Sequence, residues 1–411
     1  MPPSPAKRGR VREGAYIRAE QKLHRPLSNS PPLRGRESDR AAEETSPLDR
    51  GTTAQTRGPS QTLLSLDDLV DAGLIVEVDA PSLHDIAERY SIALTPEMAA
   101  LIDRDDPNDP IARQFIPDLR EAMMAPQERA DPIGDDAHSP LPGLVHRYPD
   151  RVLLKLLSVC PVYCRFCFRR ETVGRGKGDL LPERDVTAAL DYIARRPQIF
   201  EVILTGGDPL MLSARRLEAV SRRLAEIPHV RLLRVHTRAP TVAPDLVTPD
   251  RLAALRGSGK ALYVALHVNH ARELTDASRV AIARLRAAGA VLLSQTVLLK
   301  GVNNDVDVLE QLMRDLAQLG VRPYYLHHPD LAPGTAHFRL SLAAGRQIYA
   351  ELSRRVTSVA LPAYVLDIPG GFGKARVAEG AAESDGQGGW TVVDRNGEKR
   401  SYRDDLEPLK D

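Results

Sequence analysis

All three cysteines of this 411-residue chain lie within eight residues, in the spacing C-x3-C-x2-C. They follow an apolar run, residues 152–157, that is typical of a buried β-strand. Three thiols in one loop cannot form an even-numbered disulfide framework, so the pattern indicates metal ligation by Cys160, Cys164 and Cys167. Three buried, inert thiols are the alternative, since free cysteine is often buried. The grouping of all three in one loop favours the metal site.

The number of thiolates separates the candidate metals. Structural zinc normally has four Cys or His ligands, whereas three thiolates leave one position open for a ligand that takes part in chemistry. A [4Fe–4S] cluster held by three cysteines likewise leaves one iron free. In its spacing, and in the aromatic Phe166 beside the last cysteine, the loop resembles that of the radical S-adenosylmethionine (radical SAM) superfamily. That resemblance implies a [4Fe–4S] cluster whose free iron binds S-adenosylmethionine (SAM).

Composition narrows the class of protein further. Lysine and arginine number 56 against 55 aspartates and glutamates, so the charge predicts no general attraction to nucleic acid or to an acidic membrane. No apolar run approaches the roughly 20 residues that span a bilayer. An oxidising compartment would also suit such a cluster poorly. We therefore expect a cytoplasmic protein without a nucleic-acid or membrane partner.

The first part of the chain predicts little chemistry. Residues 1–60 are rich in Pro, Arg, Ser and Gly and lack periodic apolar positions, which predicts a disordered tail. The alternatives are an organellar targeting peptide and a basic nucleic-acid-binding arm. Residues 61–145 predict a helical region without catalytic residues, with Ser65 or Asp67 capping a first helix that ends at Gly73. Further short helices are predicted around 82–90, 96–103 and 110–124.

Within residues 146–376, apolar segments typical of strands alternate with segments typical of amphipathic helices. The predicted strands are 152–157, 201–205, 231–236, 261–267, 291–298 and 322–327, with 361–367 as a seventh candidate. The predicted helices are 183–195, 213–226, 249–256, 275–288, 305–319 and 341–357. This alternation indicates a parallel sheet with right-handed crossovers. It predicts an α/β fold, a partial (β/α)6 TIM-type barrel, with a doubly wound open sheet as the alternative.

Two segments flank these units. Residues 141–151, just before the first predicted strand, carry turn residues and basic groups and are predicted to form a loop. Residues 377–411 predict a small C-terminal β extension with a hairpin that turns at Asn396-Gly397.

Polar residues follow every one of the six main predicted strands. In β/α barrels the chemistry lies in the loops after the carboxyl ends of strands, so these residues predict one enclosed polar site. They are the three cysteines, Thr205 to Asp208, His236 to Arg238, His267 with Asn269 and His270, Ser294 with Gln295, and His327 with His328 and Asp330.

Two glycine-rich turns stand out within this set. Gly206-Gly207-Asp208 suits close approach of backbone to a ligand or a positive φ, although a tight turn alone would need the same residues. It resembles the SAM-binding turn of the radical SAM superfamily, which implies that Gly206, Gly207 and Asp208 contact SAM. Lys374 follows a second such turn, but Ala375 breaks the P-loop pattern. An amine on a flexible turn, screened from water, is suited to forming a Schiff base.

Taken together, the motifs resemble the lysine 2,3-aminomutase family from about Asp131 to Lys374, and the region from Leu63 fits as well. The motifs are HRYPDRVLL, C-x3-C-x2-C-x-R-R, LTGGDPL, SQTVLLKGVN, PYYLHHPDLAPGTAHFR and YVLDIPGG-x-GK. The resemblance implies an isomerase that moves the 2-amino group of L-lysine to C3, giving L-β-lysine. It also implies three cofactors, a [4Fe–4S] cluster, SAM and pyridoxal 5′-phosphate (PLP).

The resemblance further implies the roles of individual residues. Lys374 carries PLP as the catalytic lysine. Arg169 pairs with the substrate α-carboxylate, a contact that suits the two-pronged guanidinium. Asp330 and Asp367 bind the distal ammonium, since two converging carboxylates need a cation to neutralise them. Glutamate supplies no such cation, whereas ornithine and arginine would, so both remain alternative substrates.

Five more residues are implied to contact the cofactors. Arg147, Tyr148 and Arg151 are candidates for the PLP phosphate and ring, and Gln295 and His267 for positions beside the cofactors. Solvated loop residues are the alternative explanation for Arg147, Tyr148, Arg151 and Gln295.

The resemblance extends to partners. The 377–411 extension is similar to the family's subunit-contact segment, which implies a homo-oligomer. An electron donor such as flavodoxin or ferredoxin is expected, because the cluster must be reduced. A non-catalytic iron–sulfur protein is the rival outside enzymes, but it would not need Lys374.

Overall fold

A computed structural model of the protein describes residues 60–174, 180–378 and 380–404. Residues 1–59 of the predicted tail lie outside the described residues. The strands are β1 Leu144–Tyr148, β2 Arg151–Leu157, β3 Glu201–Gly206, β4 Leu232–Thr237, β5 Ala261–His267, β6 Val291–Val297, β7 Arg322–His327, β8 Ala363–Ile368, β9 Gly373–Arg376, β10 Ala382–Ser384, β11 Gly389–Val393 and β12 Lys399–Arg403. The helices are α1 Leu66–Asp71, α2 Ala80–Arg89, α3 Pro96–Ala99, α4 Ala112–Phe115, α5 Glu183–Ala194, α6 Ala214–Ala225, α7 Ala239–Val242, α8 Pro249–Arg256, α9 Asp276–Ala287, α10 Val306–Gln318 and α11 Leu342–Arg355.

Within the described residues, β1 to β9 form one sheet in chain order, and β2 to β8 pair in parallel. Each of the seven predicted strands forms within two residues of its predicted bounds. The fold class is confirmed, an α/β barrel-like sheet, and the seventh candidate strand joins it as β8. A helix lies in each crossover, which is how parallel neighbours are joined.

The period of two along each strand divides the barrel into two surfaces. On β2, Val152, Leu154 and Leu156 are buried in the main apolar core that also contains residues of the surrounding helices. The alternate positions Arg151 and Leu153 line an internal cavity. The helices therefore cover the outside of the sheet, and the inside is left for polar side chains.

Antiparallel strands flank the parallel sheet at both edges, and neither was predicted. β1 pairs with β2 where a loop was expected, and β9 pairs with β8 after the glycine turn. The basic and turn residues of 141–151 suggested a loop because their polar side chains face the cavity rather than a core. The Lys374 amide donates to Tyr148 Oη at 3.2 Å, so the two edges approach each other and nearly close the barrel.

Glycine is required at the seam between these edges. Gly134 has φ +68°, and a Cβ there would lie 2.5 Å from the amide nitrogen of Gly371. The segment before β1 therefore packs backbone to backbone against the turn that carries Lys374.

The helical region packs against the cysteine loop. Ser65, one of the two predicted caps, is the N-cap of α1 and forms a reciprocal capping box with Asp68. An apolar cluster of this region, including Leu94, Met98 and Phe115, also contains Val162 of the cysteine loop. The helices expected over 96–103 and 110–124 are shorter, and the second ends before Pro117, since proline disfavours helical backbone at the residue that precedes it.

β10 to β12 form a separate antiparallel sheet, and the hairpin turns at Asn396-Gly397 as predicted, with Gly397 at φ +83°. The guanidinium of Arg395 in this turn lies 4.6 Å from the ring centroid of Tyr148. Across the described part of the chain, the helices are too short or too polar for any of them to cross a membrane.

Candidate functional site

A cavity of about 590 Å³ runs through the barrel. The cysteine loop lies at the carboxyl end of the strands, and Arg151, Glu201 and Arg234 line the opposite end. Of the predicted polar set, Asn269, His270, Ser294 and His328 do not line this cavity. Every residue to which the resemblance gave a role does line it, although the sequence separates some by more than 200 positions. They are Arg147, Tyr148, Arg151, Cys160, Cys164, Cys167, Arg169, Gly206, Gly207, Asp208, His267, Gln295, Asp330, Asp367 and Lys374.

The three thiols fit a cluster better than a single metal ion. Burial raises the pKa of the Cys167 thiol to about 11, and that of Cys160 well above its usual range, so a metal must offset this cost to hold thiolates. A single tetrahedral zinc, with Zn–S near 2.3 Å, would hold thiolates about 3.8 Å apart. Among the described residues, the one triad with ligand atoms within 4.8 Å is the exposed set His84, Asp85 and Glu88. At least two of the three sulfur atoms are therefore more than 4.8 Å apart, further than a single tetrahedral zinc would hold them.

Arg238 is a cation that donates a hydrogen bond to one of the three thiols. It follows β4, and one guanidinium nitrogen donates to Cys164 Sγ at 2.8 Å. A second donates to Glu273 at 2.8 Å and Gln114 at 2.7 Å. Hydrogen bonds to the sulfur ligands are among the factors that set the potential of an iron–sulfur cluster.

The turn after β3 is shaped by the cysteine loop. Gly206 has φ +103°, and a Cβ on Gly207 would lie 2.1 Å from the carbonyl oxygen of Val159. The Asp208 carboxylate accepts from the Thr237 hydroxyl at 2.8 Å and the Arg238 amide at 2.8 Å. These contacts explain the motif within the protein, while its contact with SAM stays a prediction.

A buried carboxylate, Asp135, joins the predicted anion-binding arginines, and sequence reasoning gave it no role. It accepts from Arg147 at 2.7 Å and from Arg169 at 3.1 Å, and the Lys155 amine is 3.8 Å away. These three cations hold the pKa of Asp135 below its usual range although burial would raise it. Three cations share this one carboxylate, which fits an anionic ligand at this point of the cavity. Asp135 lies in a short Gly/Asp turn, so only its packing against the Lys374 turn revealed it.

The two predicted acids, Asp330 and Asp367, line the cavity together with Lys374. Lys374 Nζ lies 2.6 and 2.7 Å from the two oxygens of Asp367, and His327 Nδ1 is 3.4 Å from the same carboxylate. Burial and the Asp367 charge raise the pKa of Asp330 to about 8. Burial would also raise the pKa of Asp367, but the Lys374 ammonium holds it well below its usual range. A second cation would relieve the repulsion between the acids.

The helical region, predicted to have no catalytic residues, contacts the groups that surround the site. Glu121 is buried and forms ion pairs with Arg165 and Arg170 of the cysteine loop. Gln114 donates to Glu273 at 3.2 Å and accepts from Arg238. These residues hold the cysteine loop and Arg238 in place, so the region positions the thiols.

Comparison with known proteins agrees with this geometry. Residues 154–316 match the Radical SAM superfamily. The L-lysine 2,3-aminomutase of Clostridium subterminale is 41% identical over 70% of this chain and 68% of its own. The Fusobacterium nucleatum protein of the same name is 38% identical over 77% of this chain and 74% of its own. The Escherichia coli K12 protein of that name is 37% identical over 66% of this chain and 78% of its own. Identity at this level across more than two thirds of these relatives shows that the chain belongs to the lysine 2,3-aminomutase family of the radical SAM superfamily.

Proposed function

We propose that this protein is a PLP-dependent radical SAM isomerase that moves the 2-amino group of L-lysine to C3, giving L-β-lysine. The observation that carries the proposal is the convergence of Asp330, Asp367 and Lys374 in the cavity that the three cysteines also line. A protein that used the cysteines for structure alone would have no need of these groups.

The residues present fit the cofactors of the family. Cys160, Cys164 and Cys167 would hold the [4Fe–4S] cluster, with SAM against it, and Lys374 would hold PLP. When bound, the cluster and SAM supply a hydrogen-abstracting radical, and PLP supplies the conjugated system through which an amino group migrates. Arg147, Arg151 and Tyr148 lie on the wall beside Lys374 and would bind the PLP phosphate and ring.

The protein's own groups bind and orient the amino acid. Arg169 would bind the α-carboxylate and the acid pair the distal ammonium, so the chain of the substrate is held at both ends. The ammonium would draw the proton from Asp330, whose pKa is raised by burial and by the Asp367 charge. Lys374 must leave Asp367 to bond PLP, which frees that carboxylate for the substrate. The enclosed cavity excludes water from the reacting groups.

We also propose a cytoplasmic location, an electron donor such as flavodoxin or ferredoxin, and a homo-oligomer. The cluster supports the first two, since it needs reducing conditions and an external electron. The C-terminal sheet resembles the family's subunit-contact segment and supports the third.

Anaerobic reconstitution with iron, sulfide and PLP tests the proposal. Incubation with SAM, a reductant and a panel of amino acids is expected to give a β-amino acid from L-lysine and none from glutamate. After borohydride reduction, mass spectrometry is expected to find PLP on the peptide that contains Lys374. Conversion of ornithine or arginine with lysine unchanged would contradict the substrate, and PLP retained covalently by Lys374→Ala would contradict the site.

A further inference from the structure

His236 on β4 has a buried nitrogen without a partner, and it belongs to none of the roles assigned above. Its side chain lines the cavity, and its Nε2 atom has no hydrogen-bond partner among the described residues. Nε2 is closed off from solvent, and Nδ1 forms no hydrogen bond with the described residues either. Buried polar groups are nearly always paired, so an imidazole that lines a cavity with neither nitrogen paired indicates a bond from Nδ1 to a bound ligand.

The strand register places His236 beside the predicted carboxylate-binding residue. Leu204 of β3 pairs with Val235 of β4, so the next residues, Thr205 and His236, are neighbours on parallel strands about 4.8 Å apart. Both face the cavity. Thr205 Oγ1 accepts from Arg169 Nη1 at 3.4 Å, so His236 lies next to the groups that hold Arg169.

Arg169 does not have its whole guanidinium to offer a ligand. Its Nε and one terminal nitrogen donate to Asp135, at 3.4 and 3.1 Å, and the other contacts Thr205. A carboxylate has about four lone-pair positions, so it needs donors beyond those Arg169 has left.

The surroundings of His236 keep its ring neutral. The groups that act on it are Arg234 on its own strand, Arg169 of the cysteine loop, Lys374 of β9 and His327 of β7. Burial first, and then these groups, lower the pKa of His236 well below its usual range. A neutral imidazole with its hydrogen on Nδ1 can donate to a carboxylate.

We propose that His236 is a substrate-binding residue that donates from Nδ1 to the α-carboxylate of the amino acid, completing the site formed by Arg169 and Thr205. The inference rests on the proposed function, since it assigns a contact to the same amino-acid substrate. It predicts that His236 distinguishes a carboxylate from an uncharged group at that end of the substrate.

The test is a binding titration of PLP-loaded protein without SAM or reductant, so that no turnover occurs. L-Lysine and L-lysinamide are each titrated while the PLP absorption is followed. His236→Phe removes the donor and keeps a planar ring, and we expect about ten-fold weaker binding of L-lysine, the value of one hydrogen bond to a charged group. Binding of L-lysinamide is expected to change less than two-fold. His236→Gln, which keeps a donor, is expected to recover most of the lost affinity.

His328→Phe is the matched control. His328 directly follows the last residue of β7, is buried, and contacts the Tyr364 hydroxyl at 2.8 Å; unlike His327, it does not line the cavity. It is expected to leave the ratio of the two affinities unchanged.

The outcomes separate this inference from the proposed function. Equal weakening of both ligands in His236→Phe, or no weakening of either, would overturn the role of His236. If wild-type protein responds to another amino acid instead of L-lysine, the substrate is wrong, and the same comparison is made with that amino acid and its amide. No spectral response to any amino acid would overturn both. Circular dichroism melts confirm that each variant is folded before titration.

Discussion

Replacing Lys374 by methionine is expected to free the Asp367 carboxylate to bind L-lysine in the cofactor-free protein. In the structure the Lys374 ammonium bonds both oxygens of Asp367, the position predicted for the substrate's distal ammonium. A protein without PLP therefore supplies its own cation to the site. Free L-lysine must compete with an amine that is tethered to the same chain.

The size of the effect follows from the burial of the pair. Removing one partner of a buried ion pair costs about 3–5 kcal/mol, because the other charge is left without a partner. The Lys374 side chain is 28% exposed and that of Asp367 only 5%. We therefore expect a loss of about 2 kcal/mol in the free energy of unfolding, below the fully buried value. L-Lysine at one hundred times its dissociation constant would restore about 2.7 kcal/mol.

Urea unfolding of cofactor-free protein, followed by circular dichroism with and without L-lysine, measures both quantities. Lys374→Met is expected to be stabilised by L-lysine and not by L-glutamate, and the wild type by neither. Lys260→Met is the control, because this lysine bonds only the carbonyl oxygen of Ile227 at 2.8 Å in the structure described. Equal stabilisation of wild type and Lys374→Met by L-lysine would refute the reasoning.

Three further predictions concern groups that hold the site. Because the pKa of Asp330 is raised to about 8, folded protein binds a proton that unfolded protein releases, so this residue lowers stability progressively between about pH 4 and pH 8. Asp330→Asn is expected to be more stable than wild type in urea at pH 8 and equal to it near pH 4; the same gain at both would contradict this. Glu121→Gln leaves two buried guanidinium groups underpaired, and we expect a loss of about 3 kcal/mol in unfolding free energy together with lower iron content after reconstitution. Unchanged values of both would show that Glu121 is dispensable. Gly207→Ala brings a Cβ to 2.1 Å from the Val159 carbonyl oxygen, so we expect a soluble protein that binds less iron per chain, measured by ferrozine assay; full iron content would show that the loop shifts freely.

Most of the barrel was predictable because its signals are local. Each apolar strand and amphipathic helix has its own period, and the seven predicted strands formed close to their expected bounds. β1 and β9 were missed because their polar residues face a cavity, which reverses the usual relation between polarity and exposure. Short strands that pair only at an edge carry no period of their own.

The residues of the candidate site likewise divide into those with a local sequence signal and those without one. Cys160 and Lys374 could be identified from motifs, since spacing and neighbouring glycines are visible in a single sequence. Asp135 and Glu121 could not, because isolated carboxylates in a loop-rich region carry no pattern. Their partners come from distant segments, and only the packing of those segments brings them into contact.

The sequence by itself determined the parallel barrel, the cysteine set and the family, because periodicity, spacing and motif order are properties of the linear chain. Tertiary structure alone decided that β1 meets β9, that Lys374 rests on Asp367, and that His236 faces the cavity without a partner. The physical reason is that a charge or a hydrogen bond acts over a few ångströms in space, and those neighbours are set by strand register and closure. Such contacts join residues that the linear order keeps far apart.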